Sequence, residues 1–400
     1  MTRTIQAVLM GLVIGMVVQS PAFSQEKVGT PLRFSISTHA DFTDNRDSVE
    51  FNKTDNTDIF LSPRIDYIYN GSGSHIDLFY IPSIRYRTDA GDTGDDTTWQ
   101  HDFGLKASHA VTERTRLRFY EKYDYNDDSA IESGGAIIRG NHTYSENTIE
   151  GGLNIDIYRY SNLDFLLRNN LMRFDDDAVA RTSDEDISSF DASYRHQLNQ
   201  TLRWVLGATY SMYSYDSSLS RDFNSILGKT GLENAFTPNT FGVLIVGWQN
   251  SDFDDNTIDS ADEPYVLASI ECRTGADLNI GATVGHGLRD TDAFPFSVQT
   301  YSEFRGFADF NITPKLVLRG SGTYRLSEYD KESIPAGVTT DGFIGADGGD
   351  VVTLVGDILL DCNVKENISV YAGYRYENVD SDVGQTYSKN IARVGASLSF

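Results

Sequence analysis

Residues 390–400 read NIARVGASLSF, and their pattern decides the fold. Every second residue counted back from the end is apolar: Phe400, Leu398, Ala396, Val394 and Ala392. The residues between them are small or polar: Ser399, Ser397, Gly395 and Arg393. Alternation with a period of two predicts a β-strand with one apolar face.

The same alternation continues along the chain from about Leu32. Alternating stretches of roughly ten to fourteen residues are separated by gaps that are in turn short and long. The short gaps are 70–74, 112–115, 159–162, 199–201, 237–240, 273–276, 313–315 and 363–366, and they hold the Gly, Pro, Asn and Ser of tight hairpins. The long gaps are rich in Asp and Gly and begin at Thr43, Thr88, Asp127, Phe174, Asp252, Arg289 and Lys331.

This sorting of gap lengths is typical of an outer-membrane barrel, with short turns on the periplasmic side. Soluble β-sandwiches have no reason to sort their loops in this way. The pattern predicts an all-β, transmembrane, antiparallel up-and-down barrel of about eighteen strands, closed by pairing of the last strand with the first. Sixteen strands are the alternative, because 221–236 alternates weakly and 241–248 is apolar on both faces.

The N-terminus has the three parts of a secretory signal peptide. Arg3 supplies the positive region, residues 5–18 are apolar, and 22–24 (Ala-Phe-Ser) form a cleavage site. We therefore expect a signal peptide over 1–24 and one barrel domain over 25–400; an N-terminal membrane helix is the alternative. No later apolar run is long enough for a helical span, and we expect the mature chain in the outer membrane of a Gram-negative cell.

Composition fits this interpretation and excludes one partner class. Mean hydropathy is −0.35, as expected when lipid-facing residues alternate with polar residues of the lumen. The formal net charge is −25, which argues against nucleic acid, because phosphate binding needs clustered Lys and Arg. Cys272 and Cys362 are too few for a disulfide framework, and the strand phases place both on the lipid face as free thiols.

If the apolar faces meet lipid, the charged residues of the strands must face the lumen. The predicted pore-lining residues are Arg64, Arg85, Arg87, Arg118, Arg168, Arg203, Arg305, Arg319, Arg325, Arg375, Arg393, Glu303 and Glu377. Arg195, Asp66, Asp77, Asp164 and Asp191 share their phase. Rows of Arg favour anionic or hydroxyl-rich solutes. The alternative is that these residues pair with carboxylates and only hold the wall in shape.

Sites for metals or catalysis have little support in the sequence. The densest acidic runs, 175–177 and 252–255, lack the spacing of an EF-hand and are typical of a solvated surface. No Gly-x-Ser-x-Gly or His-Glu-x-x-His motif occurs. We therefore expect no cofactor, no metal site and no catalytic residue, although an Asp–His pair assembled across loops stays open.

Residues 34–86 resemble the opening of a family of outer-membrane β-barrel porins, the second β-barrel porin type. In that family a first strand ends in Asp-Asn, here Asp44-Asn45, and a second carries Ser-Pro, here Ser62-Pro63, before a tyrosine-rich hairpin. The final strand also resembles the insertion signal of outer-membrane barrels, which implies that Phe400 and Leu398 act as an assembly signal. The resemblance implies a porin, often linked to exopolysaccharide export, with no catalytic residues.

Three functions follow from these observations. The first is passive transport of small hydrophilic solutes or of an exported polysaccharide. The second is a plugged structural or surface-interaction barrel, and the third is a loop-based outer-membrane hydrolase. In each case we expect a monomer that contacts outer-membrane lipid, lipopolysaccharide and the barrel assembly machinery.

Overall fold

The computed structural model describes residues 32–89, 96–126, 143–216, 221–256, 258–291, 296–330, 333–334 and 348–400. The strands are β1 (Leu32–Thr43), β2 (Asn56–Gly71), β3 (Ser74–Arg87), β4 (Thr97–Thr112), β5 (Thr115–Asn126), β6 (Tyr144–Tyr158), β7 (Ser161–Phe174), β8 (Glu185–Gln197), β9 (Leu202–Tyr215), β10 (Phe223–Thr237), β11 (Thr240–Phe253), β12 (Ala261–Thr274), β13 (Leu278–Asp290), β14 (Val298–Thr313), β15 (Leu316–Asp330), β16 (Gly348–Lys365), β17 (Ile368–Ser381) and β18 (Tyr387–Ser399). The predicted signal peptide over 1–24 lies outside these residues.

The strands form one closed antiparallel sheet. Each strand pairs with its neighbours in sequence, and β1 also pairs with β18 in a register that sets Asp41 opposite Arg393. The sheet therefore has eighteen strands and no open side. The predicted fold class is confirmed, with eighteen strands and not sixteen.

The two faces of the sheet differ in exposure in the way that the alternation predicts. Ile59 and Leu61 are 46% and 45% exposed, whereas Phe60 between them is 8% exposed. Large apolar side chains on the exposed, convex face lack protein neighbours, and hydrocarbon is the surrounding that suits them. On the concave face, side chains of strands that are not adjacent contact each other, so that Arg118 of β5 reaches Asp164 of β7.

The weak alternation of 221–236 has a simple cause. The convex face of β10 carries Gly228, Thr230 and Asn234 beside Ile226 and Leu232, so its apolar signal is diluted. In β11 both faces are apolar, because Val243 and Ile245 lie on the concave face. Both strands still pair along their length.

The connections are sorted by length as predicted. At one end of the barrel, strands are joined by tight turns, and positive φ values at Gly73 (88°) and Gly275 (65°) allow two of them. The other end carries the longer connections. The predicted loop that begins at Asp127 lies outside the described residues, and so does most of the one that begins at Lys331.

One long connection contains a helix that the alternation did not predict. Helix α1 (Asp177–Ser183) follows β7, with Asp177 in its first turn and Arg181 in its last, where each charge complements the helix dipole. Val179 and Ala180 of α1 pack against a buried cluster that includes Met172. Seven residues are too few to give a periodic helical signal. The described part of the chain has no helix with the length and hydropathy of a membrane span.

The ladder between β12 and β13 stops before the strands end. Its last pair towards the long connections is Val266 with His286, although β12 begins at Ala261 and β13 runs on to Asp290. The predicted loop start at Arg289 was therefore wrong: β13 leaves β12 but stays paired with β14 through Asp290 opposite Val298.

Candidate functional site

The predicted pore-lining residues lie on the concave face, and the structure pairs most of them with carboxylates. Their closest ion pairs are Arg64–Asp66 at 2.6 Å, Arg118–Asp164 at 2.5 Å, Arg168–Glu150 at 2.5 Å, Arg305–Glu303 at 2.6 Å, Arg319–Asp361 at 3.4 Å, Arg375–Glu377 at 2.5 Å and Arg393–Asp41 at 2.5 Å. Three of these pairs join residues two apart on one strand, whereas the partners of Arg118, Arg168, Arg319 and Arg393 come from other strands, which only the register brings together.

These pairs join into a network on one side of the lumen. Asp164 accepts from Arg118 and Arg195, and Arg195 in turn lies 3.2 Å from Glu233. Arg203 lies 3.9 Å from the same Glu233. Nearby, Asp191 pairs with Lys229 and accepts from Thr209, so five strands from β5 to β10 contribute to one charged wall.

The arginines differ in their access to the lumen. The guanidinium groups of Arg118, Arg168, Arg319 and Arg393 belong to side chains that are about half exposed. Those of Arg85, Arg87 and Arg325 are nearly or fully buried. Arg85 and Arg87 lie near Asp58, each at 3.9 Å. The exposed set, which also includes Arg203 and Arg305, can meet a solute directly.

Two hollows in the concave wall contain residues of the exposed set. One, of about 620 Å³, is lined by Arg118, Glu150, Asp164, Asp191 and Arg195. The other, of about 440 Å³, is lined by Arg319, Asp357, Arg375 and Arg393. Each hollow offers donors and acceptors side by side, which suits hydroxyl-rich or zwitterionic groups.

Apolar side chains partly close the barrel at the end with the long connections. Leu288 and Val298, at the ends of β13 and β14, form a buried cluster with Tyr215, Phe223 and Phe253, which lie on the concave faces of β9, β10 and β11. Phe296 forms a second cluster with the concave faces of β15 to β18, through Tyr329, Val351, Val355, Val379 and Tyr387. The end of β13 and the start of β14 thus pack against β9–β11, and Phe296 packs against β15–β18.

Polar contacts fix this inward position. Gln249 of β11 donates to the carbonyl of Leu288 and accepts from its amide, each at 3.2 Å. Arg221 donates to the carbonyl of Thr291 at 2.7 Å from a side chain that is 1% exposed. Gly287, with φ of 154°, lies where β13 leaves β12, and a Cβ there would be 3.1 Å from Gln249 Oε1. These bonds replace the ladder that β13 loses on this side.

The inward turn brings one arginine into the lumen that the sequence pattern did not assign. Leu288 packs against the wall, so Arg289, one residue on, faces the channel and lies 5.1 Å over the ring of Tyr301. The predicted loop began at Arg289, and the only signal for the turn was the pair of glycines on either side of His286.

The acidic runs and the histidines give no sign of a metal centre in the described residues. No group of three or more His, Cys, Asp and Glu is placed to hold a metal ion there. Asp175 instead accepts from Tyr125 at 2.8 Å. Cys272 and Cys362 are free thiols on the convex faces of β12 and β16.

Comparison with known proteins gives a family. A family model described as “Putative beta-barrel porin 2” matches residues 92–400. No curated protein matches the chain.

Solved barrels are similar only in outline. The crystal structure of Pseudomonas aeruginosa OccK2 (OpdF) has a TM-score of 0.49 and 11% identity, over 92% of this chain and 98% of that one. Acinetobacter baumannii OccAB4 has a TM-score of 0.47 and 12% identity, over 93% and 99%. The siderophore receptor PirA from Pseudomonas aeruginosa has a TM-score of 0.46 and 9% identity, over 94% and 81%.

Proposed function

Since this chain belongs to the family described as “Putative beta-barrel porin 2”, we propose that it is a passive outer-membrane channel for small hydrophilic solutes. The observation that carries the proposal is the charged concave wall of a closed barrel of eighteen strands. Side chains fill the interior of an eight-stranded barrel, but not one of this width. Solutes would pass along the wall formed by the exposed arginines and their carboxylates.

The predicted pore-lining residues enter this proposal in two groups. Arg118, Arg168, Arg203, Arg305, Arg319 and Arg393 have side chains that are about half exposed and can contact a solute, whereas the buried Arg85, Arg87 and Arg325 hold the wall. Because each accessible guanidinium has a carboxylate beside it, the wall has alternating charge. Such a wall suits polar solutes with hydroxyl groups as well as ions.

The apolar clusters at the mouth bear on the size of the solute. Leu288 and Val298 pack against β9–β11 and Phe296 packs against β15–β18, so these apolar side chains lie inside the mouth and would narrow the path. This supports small solutes over an exported polysaccharide, which would need a wider or moving passage. The same clusters favour the second candidate, a barrel whose lumen is closed and whose role is structural.

Planar-bilayer recording separates the two candidates. The signal peptide is predicted for 1–24, so the mature chain is refolded from residue 25, and single-channel steps are recorded in KCl. Ion-sized steps are expected, with a reversal potential that shifts towards cation selectivity when Arg319 and Arg393 are both replaced by Ser. Heat-unfolded protein is the control. If the folded wild-type protein gives no steps, the lumen is closed and the channel proposal is wrong.

A further inference from the structure

One group of charges in the lumen is not balanced. Glu303 accepts from Arg305 at 2.6 Å and from Arg325 at 2.5 Å, so one carboxylate serves two guanidinium groups. Arg289 lies 5.1 Å over the ring of Tyr301, which precedes Glu303 by two residues on the same face of β14. Arg289, Arg305, Arg325 and Glu303 together carry a net formal charge of +2, in a chain whose net charge is −25.

Arg289 lacks the partner that the other accessible arginines have. Among the described residues it forms no ion pair, and its contact is the ring face of Tyr301. Its Nη1 atom is enclosed and has no hydrogen-bond partner. An enclosed guanidinium nitrogen without an acceptor costs free energy, so an acceptor group that reached it would stabilise the site.

The position of Arg289 follows from the inward turn of β13. Leu288 is held against the wall by Gln249, and the alternation of the strand then directs Arg289 into the channel. Tyr301 is opposite Gly287 in the β13–β14 ladder, and Glu303 is opposite Gly285. Arg289 therefore lies on the mouth side of Tyr301, and Glu303 and Arg305 follow along β14.

We propose that Arg289 and Arg305 bind the oxyanionic group, a carboxylate or a phosphate, of a solute in the lumen. A planar guanidinium binds two oxygens of such a group at once. Arg325, with a side chain that is 3% exposed, and Glu303 are positioning residues that hold Arg305. The proposal rests on the proposed channel function and names the class of solute that the channel selects.

Isothermal titration calorimetry on the refolded mature protein measures binding at this site and does not require ion conduction. The probes are succinate and inorganic phosphate, which distinguish a carboxylate from a phosphate. Arg289→Gln is expected to weaken binding of the preferred probe by about tenfold or more, the effect of losing one charge-assisted bond pair. Arg289→Lys keeps the charge but loses the planar group that binds two oxygens at once, so an intermediate affinity is expected.

Arg273→Gln is the matched control, because it makes the same change of charge on the neighbouring strand. Arg273 is 69% exposed and pairs only with Glu271, at 3.3 Å, among the described residues. The proposal is wrong if neither probe binds the wild-type protein, or if Arg273→Gln weakens binding as much as Arg289→Gln does. Near-ultraviolet circular dichroism of each variant shows whether the barrel has refolded.

Bilayer currents separate the two proposals. If the wild-type protein conducts but Arg289→Gln binds both probes normally, the channel proposal stands and the anion site is refuted. If the protein does not conduct but binds a probe through Arg289, the site stands and the channel proposal is refuted. In a conducting protein, the preferred probe should also reduce the KCl current of the wild type more than that of Arg289→Gln.

Discussion

At the scale of the residue, two glycines of β10 differ sharply in what surrounds them. An ideal Cβ on Gly231 would lie 2.2 Å from the backbone oxygen of Leu244 in β11. An ideal Cβ on Gly228 would have nothing within 4 Å. Gly231 is therefore required by the close approach of two strands, whereas Gly228 faces open space on the convex side.

This difference gives a matched pair of substitutions on one strand. Gly231→Ala should destabilise the barrel by about 1–3 kcal/mol, because backbone atoms of β11 must move. Gly228→Ala should be neutral or stabilise it by up to ~1 kcal/mol, because alanine restricts the unfolded chain. Urea unfolding in detergent micelles, followed by tryptophan fluorescence, measures both. Equal effects would contradict the close approach.

The face of the sheet that a side chain occupies was predictable from the sequence, but the side chain with which it pairs was not. Because strand residues alternate, Arg118 and Arg195 could be assigned to the lumen from their phase alone. That both meet Asp164 depends on the stagger between neighbouring strands, which alternation does not encode. Arg289 was missed for a related reason, since a strand that leaves its neighbour still looks like the start of a loop.

At the scale of the element, β13 and its connection to β14 determine the shape of the mouth. The strand gives up its ladder with β12 beyond His286 and gains two hydrogen bonds to one side chain, Gln249. Gln249 is 9% exposed and also donates to Ser225 at 3.1 Å. A single glutamine thus replaces the backbone partners of the strand end.

Replacing this glutamine should loosen the inward position of β13. In Gln249→Ala the amide of Leu288 loses its acceptor, and its hydrogen exchange should be about tenfold faster or more. Asn250→Ala is the control, since Asn250 is on the convex side of the same strand and bonds to Asp262 at 2.9 Å. Exchange mass spectrometry of the peptides around Leu288 reports the result, and equal rates in both variants would contradict the role of Gln249.

The elements themselves were largely predictable. Period-two alternation and sorted gap lengths gave the strands, the turns and the closure, because a lipid-facing wall leaves little freedom in sequence. Helix α1 and the inward end of β13 were not predictable in this way. Helix α1 packs on the buried cluster of β6 and β7 that contains Met172, and the end of β13 depends on Gln249 of β11.

At the scale of the whole molecule, closure of the barrel depends on the seam between β1 and β18. At the end with the long connections, Asp44 accepts from the backbone amide of Asn390 at 2.7 Å and from its side chain at 2.5 Å. Asn45, which is fully buried, donates to the carbonyl of Ser388 at 2.8 Å. The Asp-Asn pair noticed in the sequence therefore fastens the seam; the assembly role of Phe400 and Leu398 stays a prediction.

The seam should weaken in acid. Burial acts to raise the pKa of Asp44, but the hydrogen bonds from Asn390 outweigh it, and the pKa lies below its ordinary value. The carboxylate therefore stabilises the fold fully above the ordinary pKa, about 3.9, and this contribution is lost as the pH falls through the lower folded-state value. Thermal unfolding of wild type and Asp44→Ala, measured at pH 7 and at about pH 2, should differ by about 1 kcal/mol only at pH 7. A difference that persists in acid would contradict this.

The early end of the β12–β13 ladder has one more consequence. Strand β12 keeps a short unpaired edge at residues 261–265, and such edges invite pairing with a strand of another molecule. Asp262, Glu263 and Pro264 occupy this edge. The Asp262 carboxylate repels an approaching copy, that of Glu263 lies 3.5 Å from His286 of β13, and proline cannot donate to a new ladder. The side of β12 that β13 leaves is therefore protected against edge-to-edge aggregation by the residues that form it.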